Sequence, residues 1–202
     1  MTPEEVEAFN RCVAVGGLAL FPADTVYGLA TSPDLESGVR RLYEIKGRPA
    51  DRPAAVMFFS LERALAAIGG LGPRTRDAMV RLLPGPLTLV LPNPERLYPL
   101  ACGPAPERVG VRVPELAGAL EPMRAVRYPV LQSSANRSGG PDARRLEDVD
   151  AGVRAGVEVE LDAGELPGTP STVVDLTTYE EDGSFEVLRE GAVPAARLAA
   201  EL

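Results

Sequence analysis

The stretch Leu18–Pro49, LALFPADTVYGLATSPDLESGVRRLYEIKGRP, contains the only lysine of the chain. The chain carries 21 basic side chains, and all of them except Lys46 are arginine. Lysine is a compact cation with three rotatable donors, whereas arginine is a planar fork, so the two are not interchangeable. Two residues apart, Lys46 and Arg48 favour an anion site in which one group bridges several phosphate oxygens and the other binds bidentately.

A structural interpretation of Lys46 stands beside this one. The segment 34–45 predicts a helix capped by Asp34, because its apolar residues recur near helical spacing. Basic residues just past the C-terminus of a helix are favoured by the helix dipole alone. The position of Lys46 at a helix end favours this structural interpretation. The absence of any other lysine favours the anion site, so the two interpretations are equally well supported.

The bulk composition limits the classes of function. The 202 residues are 45% hydrophobic and no low-complexity linker divides them, which predicts a single domain over residues 1–202. The net charge of −8 argues against nonspecific binding to nucleic acids or anionic membranes. With no histidine and two distant cysteines, His/Cys zinc sites and Ser-His-Asp triads are excluded.

The N-terminus predicts a cytoplasmic protein. Thr2-Pro3-Glu4-Glu5 reads as a capping box with proline at the first helical position rather than as a signal peptide. The longest apolar runs are far too short to span a bilayer, so no membrane association is expected.

Strands and helices alternate along the chain. Helices are predicted at 3–15, 34–45, 60–68 and 73–83, from about 115, near 146–154 and from 194. Strands are predicted at 18–21, 26–30, 54–59, 87–91, 109–113, 130–132, 157–161, 172–176 and 185–189, with a proline-rich surface loop at 93–108. This order, with its hairpin-like stretches, predicts an α/β fold (α+β in strict usage): a three-layer domain around a mixed β-sheet.

The loop Ser133–Gly140, SSANRSGG, is a candidate binding site because it follows a buried strand. Only three asparagines and eight serines occur in the chain, yet one asparagine and three serines fall between Ser133 and Ser138. Hydroxyls and an amide at this place can bind phosphate or ribose oxygens. Ordinary turn chemistry explains such a cluster at least as well. The GxxxxGK[ST] and GxGxxG signatures are both missing.

Two further charged residues are candidates. Arg112 lies within a predicted buried strand, and a buried charge needs a partner. A ligand carboxylate and an internal Asp or Glu satisfy that need equally well. Asp24, in the turn after the first strand, helps to hold Mg²⁺ in one interpretation and merely caps the turn in the favoured one.

Taken together, six motifs resemble a known family in order and spacing. They are PADTVYGL, KGRP, PGPLTLVL, GVRVP, SSAN with the following SGG, and STVVDL with VLREGAV. Over about residues 10–195 the chain resembles the YrdC/Sua5 (TsaC) threonylcarbamoyl-AMP synthase family. The K-x-R…S-x-N set of that family is matched by Lys46, Arg48, Ser134 and Asn136.

The resemblance implies a YrdC-like twisted mixed sheet, with helices on both faces, around a basic cavity. It also implies a reaction that joins L-threonine, bicarbonate and ATP, with Mg²⁺ accompanying the nucleotide, into threonylcarbamoyl-AMP and pyrophosphate for the t⁶A modification of tRNA. The residues that this implies as catalytic are Lys46, Arg48, Ser134 and Asn136. The residues that it implies as ATP ligands are these four with Arg52 and Arg189, and those near threonine are Thr25, Tyr27, Arg112 and Ser171.

The resemblance also sets expectations about partners. The chain ends shortly after the last motif, so it is expected to be the short form, which hands its product to a separate threonylcarbamoyl transferase complex and meets tRNA only indirectly. Weak or no direct nucleic-acid binding is expected.

Ala23 and Met57 depart from the family pattern, where a threonine and a histidine are common. An alternative is therefore a YrdC-like paralogue that binds nucleotide or double-stranded RNA, with a role in ribosome or RNA maturation.

Overall fold

The computed structural model describes residues 1–202. The helices are α1 (Pro3–Ala14), α2 (Glu36–Lys46), α3 (Leu61–Ala67), α4 (Pro73–Leu82), α5 (Pro99–Cys102), α6 (Ala151–Arg154), α7 (Tyr179–Asp182) and α8 (Ala195–Glu201). The strands are β1 (Ala19–Pro22), β2 (Tyr27–Thr31), β3 (Ala55–Met57), β4 (Leu87–Pro92), β5 (Arg108–Arg112), β6 (Val130–Ser134), β7 (Val159–Glu160), β8 (Thr172–Asp175) and β9 (Glu186–Arg189). Two 3₁₀ segments cover Gly118–Ala125 and Leu146–Asp148.

All nine strands form one mixed sheet in the order β7-β1-β2-β6-β3-β5-β4-β8-β9. The pairs β1/β7, β3/β5 and β4/β8 are parallel and the other five are antiparallel. The predicted α/β class with a mixed sheet is therefore confirmed. No helix in the structure combines the length and the apolar character required to cross a bilayer.

The two faces of the sheet are covered differently. One face packs against α2 to α8 and forms a core cluster of 35 buried residues. The other face carries a smaller cluster of 16 residues, to which α1 and the Gly118–Ala125 segment contribute. In that smaller cluster the rings of Phe9, Phe21 and Phe59 meet with centroids 5.6 to 6.3 Å apart. Helices thus lie on both faces, as expected, but they fill only part of the second.

The uncovered part of the second face is where the sheet carries small and polar residues. Side chains alternate between the faces along a strand, so Val109 and Val111 of β5 enter the larger core while Arg108, Gly110 and Arg112 face the other way. These three residues line a cavity. The strands that bury one face fully therefore leave a chemically distinct recess on the other.

Several predicted elements differ from the structure. Asp34 does not cap α2, because the N-cap is Leu35 and no side-chain cap hydrogen bond is made. The Asp34 amide donates to Ser32 Oγ at 3.3 Å. The helix predicted from about 115 is the 3₁₀ segment Gly118–Ala125, in which Pro122 and Gly118 disfavour an α-helix. The helix predicted near 146–154 is a 3₁₀ turn followed by the one-turn α6.

The proline-rich segment 93–108, predicted as a surface loop, is partly interior. It contains α5, and the side chain of Asn93 is buried. That amide donates to the Leu97 and Pro106 carbonyls, both at 2.9 Å, and its oxygen accepts from the Leu97 amide at 2.9 Å. A single buried polar side chain therefore organises a segment whose composition alone predicts a loop.

The close packing of α2 predicts the effect of enlarging Gly38. Alanine ordinarily stabilises a helix interior by about 1 kcal/mol over glycine. At Gly38, however, a Cβ would lie 2.3 Å from Thr31 Oγ1 and 2.6 Å from the Gly16 carbonyl oxygen. We expect Gly38→Ala to lower the free energy of unfolding by about 1 to 3 kcal/mol in urea denaturation, because this overpacking outweighs propensity. The exposed neighbour Ser37→Ala is the control, and equal stability of the two variants would contradict the packing argument.

Candidate functional site

The recess on the second face of the sheet is a cavity of about 600 Å³, lined by 23 residues. Its charged lining residues are all arginines, Arg48, Arg108, Arg112 and Arg189, and no Asp or Glu lines it. Serine, threonine and glutamine side chains contribute further donors and acceptors: Thr88, Gln132, Ser133, Ser134 and Ser171. In a chain of net charge −8, this concentration of positive charge makes the cavity an anion site.

Arg112 is 3% exposed and its guanidinium is shared between the fold and the cavity. Its Nη2 donates to the Asp24 carboxylate and to Thr25 Oγ1, the latter at 2.6 Å. Asp24 also accepts from the Glu115 amide at 3.1 Å. Nε is buried without a partner and Nη1 makes no hydrogen bond within the protein. The Asp24 carboxylate therefore occupies only Nη2 of the guanidinium, and Nη1 remains as a donor for a ligand.

Asp24 thus has a role that neither sequence interpretation anticipated. It is the counterion of a buried arginine 88 positions further along the chain. The contact joins the turn after β1 to the end of β5, so it depends on the sheet order rather than on local sequence.

Arg189 enters the cavity from β9. Its Nη2 donates to the Ser171 carbonyl at 2.7 Å and to Ser171 Oγ at 3.1 Å. Ser171 Oγ in turn lies 2.9 Å from Thr88 Oγ1. Partial burial and the neighbouring charges of Arg112 and Arg48 lower the pKa of Arg189, although Asp142 opposes that shift. A bound anion would relieve the mutual repulsion of these guanidinium groups.

Arg48 is held at the opposite rim by the segment that follows α2. Its Nη2 donates to the Pro53 carbonyl at 2.5 Å and its Nη1 lies 3.4 Å from Ser133 Oγ. The guanidinium carbon also lies 5.6 Å from the centroid of the Tyr43 ring, a cation–π distance. Its Nε is buried without a partner. Arg48 is therefore fixed in position and still has hydrogen-bonding capacity.

Lys46, the last residue of α2, is 2% exposed and does not line the cavity. Its Nζ donates to the carbonyls of Ser134 and Asn136, the latter at 2.6 Å, and to Asn136 Oδ1 at 3.0 Å. Ser134 Oγ donates to the same Oδ1 at 2.7 Å. The K-x-R and S-x-N residues thus meet, but the lysine fixes the serine-rich loop while Arg48 faces the cavity.

Burial first, and the charge of Arg48 second, lower the pKa of Lys46 to about 8. The ammonium is retained at neutral pH because three oxygens surround it. Gly47 follows in the left-handed region at φ 59° and ends the helix, which lets the chain turn and carry Arg48 to the rim.

The structure divides the ten predicted site residues into two groups. Those that line the cavity are Tyr27, Arg48, Arg112, Ser134, Ser171 and Arg189. Those that do not are Thr25, Lys46, Arg52 and Asn136. Thr25, Lys46 and Asn136 contact lining residues through the hydrogen bonds described above. Arg52 is exposed and only its backbone makes hydrogen bonds: its carbonyl accepts from the Tyr43 hydroxyl at 2.7 Å and its amide donates to the Pro49 carbonyl at 3.2 Å.

Tyr27 lines the cavity, yet its side chain belongs to the larger core on the opposite face. Its hydroxyl donates to Asp162 at 2.7 Å and accepts from the Ala163 amide at 3.1 Å. Desolvation, and then this contact with Asp162, raise the pKa of Tyr27 to about 12. Tyr27 therefore anchors the segment after β7, and its hydroxyl is occupied by contacts within the protein.

Sequence reasoning missed Arg108, Thr88, Gln132 and Cys102 as lining residues. Arg108 could have been found from its spacing, because it lies four residues before Arg112 on the same strand face. It also pairs with Asp175 at 3.4 Å. The two departures from the family pattern, Ala23 and Met57, are buried in the smaller core and do not line the cavity.

The residues present do not form a resident metal site. No group of three or more His, Cys, Asp or Glu side chains that could hold a metal occurs in the structure, and the cavity is lined by cations. Hard cations such as Mg²⁺ require oxygen ligands, chiefly carboxylates, phosphates and water. A magnesium ion in this cavity would have to arrive with a phosphate ligand as part of the substrate.

Comparison with known proteins is consistent with this geometry. The model of the Sua5/YciO/YrdC domain, described as telomere recombination, matches residues 11–191. The chain belongs to the Sua5/YciO/YrdC family. It is 35% identical over 197 residues to the threonylcarbamoyl-AMP synthase of Pyrococcus abyssi, and 30% identical over 165 residues to that of Hahella chejuensis. These matches cover 95% and 81% of this chain and 56% and 89% of the respective relatives.

Among solved structures, the chain is similar to P. abyssi Sua5 complexed with L-threonine. The TM-score is 0.85 at 30% identity, covering 100% of this chain and 59% of that one. The chain spans only about half the length of the first curated relatives it matches, 56% for P. abyssi and 51% for Bacillus subtilis. The predicted family and fold are confirmed.

The lowered pKa of Lys46 predicts a pH dependence of stability. Its value falls from 10.5 to about 8 on folding, so between these pH values the unfolded state binds more protons than the folded state. The contribution of Lys46 to the free energy of unfolding therefore rises with pH across that window. Urea denaturation from pH 7 to 10 should show the wild-type chain gaining stability relative to Lys46→Met. Parallel pH profiles for the two chains would show that burial does not perturb this ammonium.

Proposed function

We propose that this chain is an L-threonylcarbamoyladenylate synthase, which condenses L-threonine, bicarbonate and ATP into threonylcarbamoyl-AMP and pyrophosphate. The observation that carries the proposal is a cavity lined by four arginines and several hydroxyls but no carboxylate. A triphosphate and an amino-acid carboxylate both need such donors. The synthases from P. abyssi and H. chejuensis, to which the chain is similar, support the same activity.

The proposed chemistry needs neither a histidine nor a nucleophilic side chain. The amine of threonine adds to the carbon of bicarbonate, and loss of water gives a carbamate. A carbamate oxygen then attacks the α-phosphorus of ATP, the bond from that phosphorus to the bridging oxygen breaks, and pyrophosphate leaves. The protein must hold the reactants in line, neutralise charge and keep water from the product.

In this proposal the arginines divide the substrates between them. Arg112 binds the threonine carboxylate through Nη1, which Asp24 leaves open. Thr25 is hydrogen-bonded to Arg112, and Ser171 lines the same cavity. Arg48 and Arg189 neutralise the phosphates, which arrive as the magnesium complex. Ser134 lines the phosphate end, and Lys46 and Asn136 act by fixing its position.

The proposal also covers the fate of the product and its transfer to tRNA. The product is an activated mixed anhydride that hydrolyses unless a partner takes it, so a separate threonylcarbamoyl transferase complex would carry the group to tRNA for t⁶A. Ala23 and Met57 are packed in the smaller core and do not line the cavity, although Met57 is the cross-strand partner of Arg112, so neither departure removes a lining side chain.

A pyrophosphate-release assay tests the proposal. We expect release that requires threonine, bicarbonate and ATP together, because the carbamate is the nucleophile. Omission of each reactant in turn is the control. Equal release with and without threonine would mean that the cavity hydrolyses nucleotide or serves another acceptor.

The geometry around Nζ predicts the effect of Lys46→Arg. Three oxygens of the Ser134–Asn136 loop surround a compact ammonium, and a wider planar fork cannot take that place without moving the loop. We expect a loss of about 2 to 4 kcal/mol in transition-state stabilisation, similar to the loss of a preorganised donor. Turnover of a folded Lys46→Arg chain, measured against Arg40→Lys on the exposed face of α2, provides the comparison. Wild-type turnover would make Lys46 a helix-end charge only.

A further inference from the structure

A second pocket, with a volume of about 340 Å³, lies outside the arginine-lined cavity and shares no residue with it. It is bounded by the residues just after β3, by α3, by Tyr98 and by the segment before β6. Its volume lies at the lower end of the range for ligand pockets, so its occupant is small. We call it the aromatic pocket, after its principal lining residues, Phe58, Phe59, Tyr98, Tyr128, Arg63 and Arg127.

The aromatic pocket gathers side chains that the chain otherwise uses sparingly. The chain has five phenylalanines, five tyrosines and no tryptophan, and four of these aromatic residues line this one pocket. The rings of Phe58 and Tyr98 meet edge to face, with centroids 6.1 Å apart. Tyr128 is 45% exposed. Phe58 and Phe59 are only 3% and 4% exposed, so the accessible part of this aromatic wall is the partly exposed Tyr98 and the exposed ring of Tyr128.

The backbone of Tyr98 is held in an uncommon conformation to place this wall. Its φ of 51° lies in the left-handed region, which non-glycine residues rarely adopt and which costs on the order of 1 kcal/mol or more. Buried contacts hold it there: the Tyr98 carbonyl accepts from the Ala101 amide at 2.9 Å and from Cys102 Sγ at 3.3 Å. The Asn93 side chain fixes the preceding Leu97 from both sides. The position of Tyr98 is thus determined by the fold and not by a mobile loop.

The charges of the aromatic pocket select an anion. Two arginines line it and no Asp or Glu does. Arg127 pairs with Glu7 through bonds of 2.8 and 2.9 Å, so much of its charge is compensated. Arg63 has no acidic partner, since its side chain donates only to the Val126 carbonyl. Its charge is therefore available beside the aromatic rings.

We propose that the aromatic pocket binds a nucleoside monophosphate unit, with the base against the tyrosine rings and the phosphate on Arg63. A planar base stacks on aromatic side chains, and arginine neutralises a phosphate at the same site. The unit can come from a free nucleotide or from an unpaired residue of single-stranded RNA. Ala55 of the cavity and Phe58 of the pocket are three residues apart, about 10 Å along an extended chain, so the second site adjoins the first but is distinct from it.

A tryptophan reporter tests the proposal, because the wild-type chain has none. In Tyr128→Trp we expect saturable quenching of fluorescence on titration with 5′-AMP. Adding Arg63→Ala to this chain should weaken the apparent affinity at least tenfold. Arg76→Ala, which removes an exposed arginine that also donates through Nη1 to a backbone carbonyl, is the matched control and should change nothing. Thermal unfolding verifies that each chain is folded.

The same reporter separates the pocket from the cavity and identifies the source of the nucleotide. Arg189→Ala, in the cavity, should leave the quenching unchanged. Tighter binding of a short oligoadenylate than of 5′-AMP would identify RNA as the source, and the reverse order would identify the free nucleotide. Quenching that does not saturate, that persists equally in Arg63→Ala and Arg76→Ala, or that disappears in Arg189→Ala would overturn the proposal.

Discussion

The buried ammonium of Lys46 joins the two halves of the candidate site. It ends α2, lies among three oxygens of the Ser134–Asn136 loop, and its own carbonyl accepts from the Ser138 amide at 2.8 Å. Removing a charge from water is costly unless its hydrogen bonds are satisfied, so the loop and the helix end must stay together. This constraint explains why a lysine stands there in a chain that otherwise uses arginine: three separate acceptors suit three rotatable donors.

The arginines of the cavity form a second constraint that follows from the first. Once the loop and α2 are joined, Arg48 lies at one rim, Arg189 at the other, and Arg112 between the strands. Arg112 is offset by Asp24 and Arg108 by Asp175, whereas Arg48 and Arg189 bond to uncharged oxygens. Neither cation is fully buried, but the two have no acidic hydrogen-bond partner and repel each other in the empty cavity, so an anionic ligand is favoured there. The repulsion lowers the stability of the empty protein and raises its affinity for an anion.

Sequence patterns predicted the sheet elements well where burial is complete. Strands β1 and β2 are buried at every position. In β5 the alternation of valines with Arg108, Gly110 and Arg112 also sets the direction of the side chains. The capping box of α1 and the prolines at the starts of α1 and α4 likewise identify those helices. Prediction failed in the segments 93–108 and 115–125, where one buried amide or a proline inside the run decides the conformation. Such effects depend on contacts distant in sequence, which local propensity does not contain.

The sequence alone determined the family, the mixed α/β class and the chemical character of the site, because these depend on residue types and their order. The uniqueness of Lys46 and the clustering of serines with Asn136 are properties of the sequence itself. Only the tertiary structure decided which of these residues face the cavity, that Asp24 is the partner of Arg112, and that Arg108 joins the lining. The sheet order β7-β1-β2-β6-β3-β5-β4-β8-β9 brings residues more than 80 positions apart into hydrogen-bonding distance, and that order results from the packing of the whole chain.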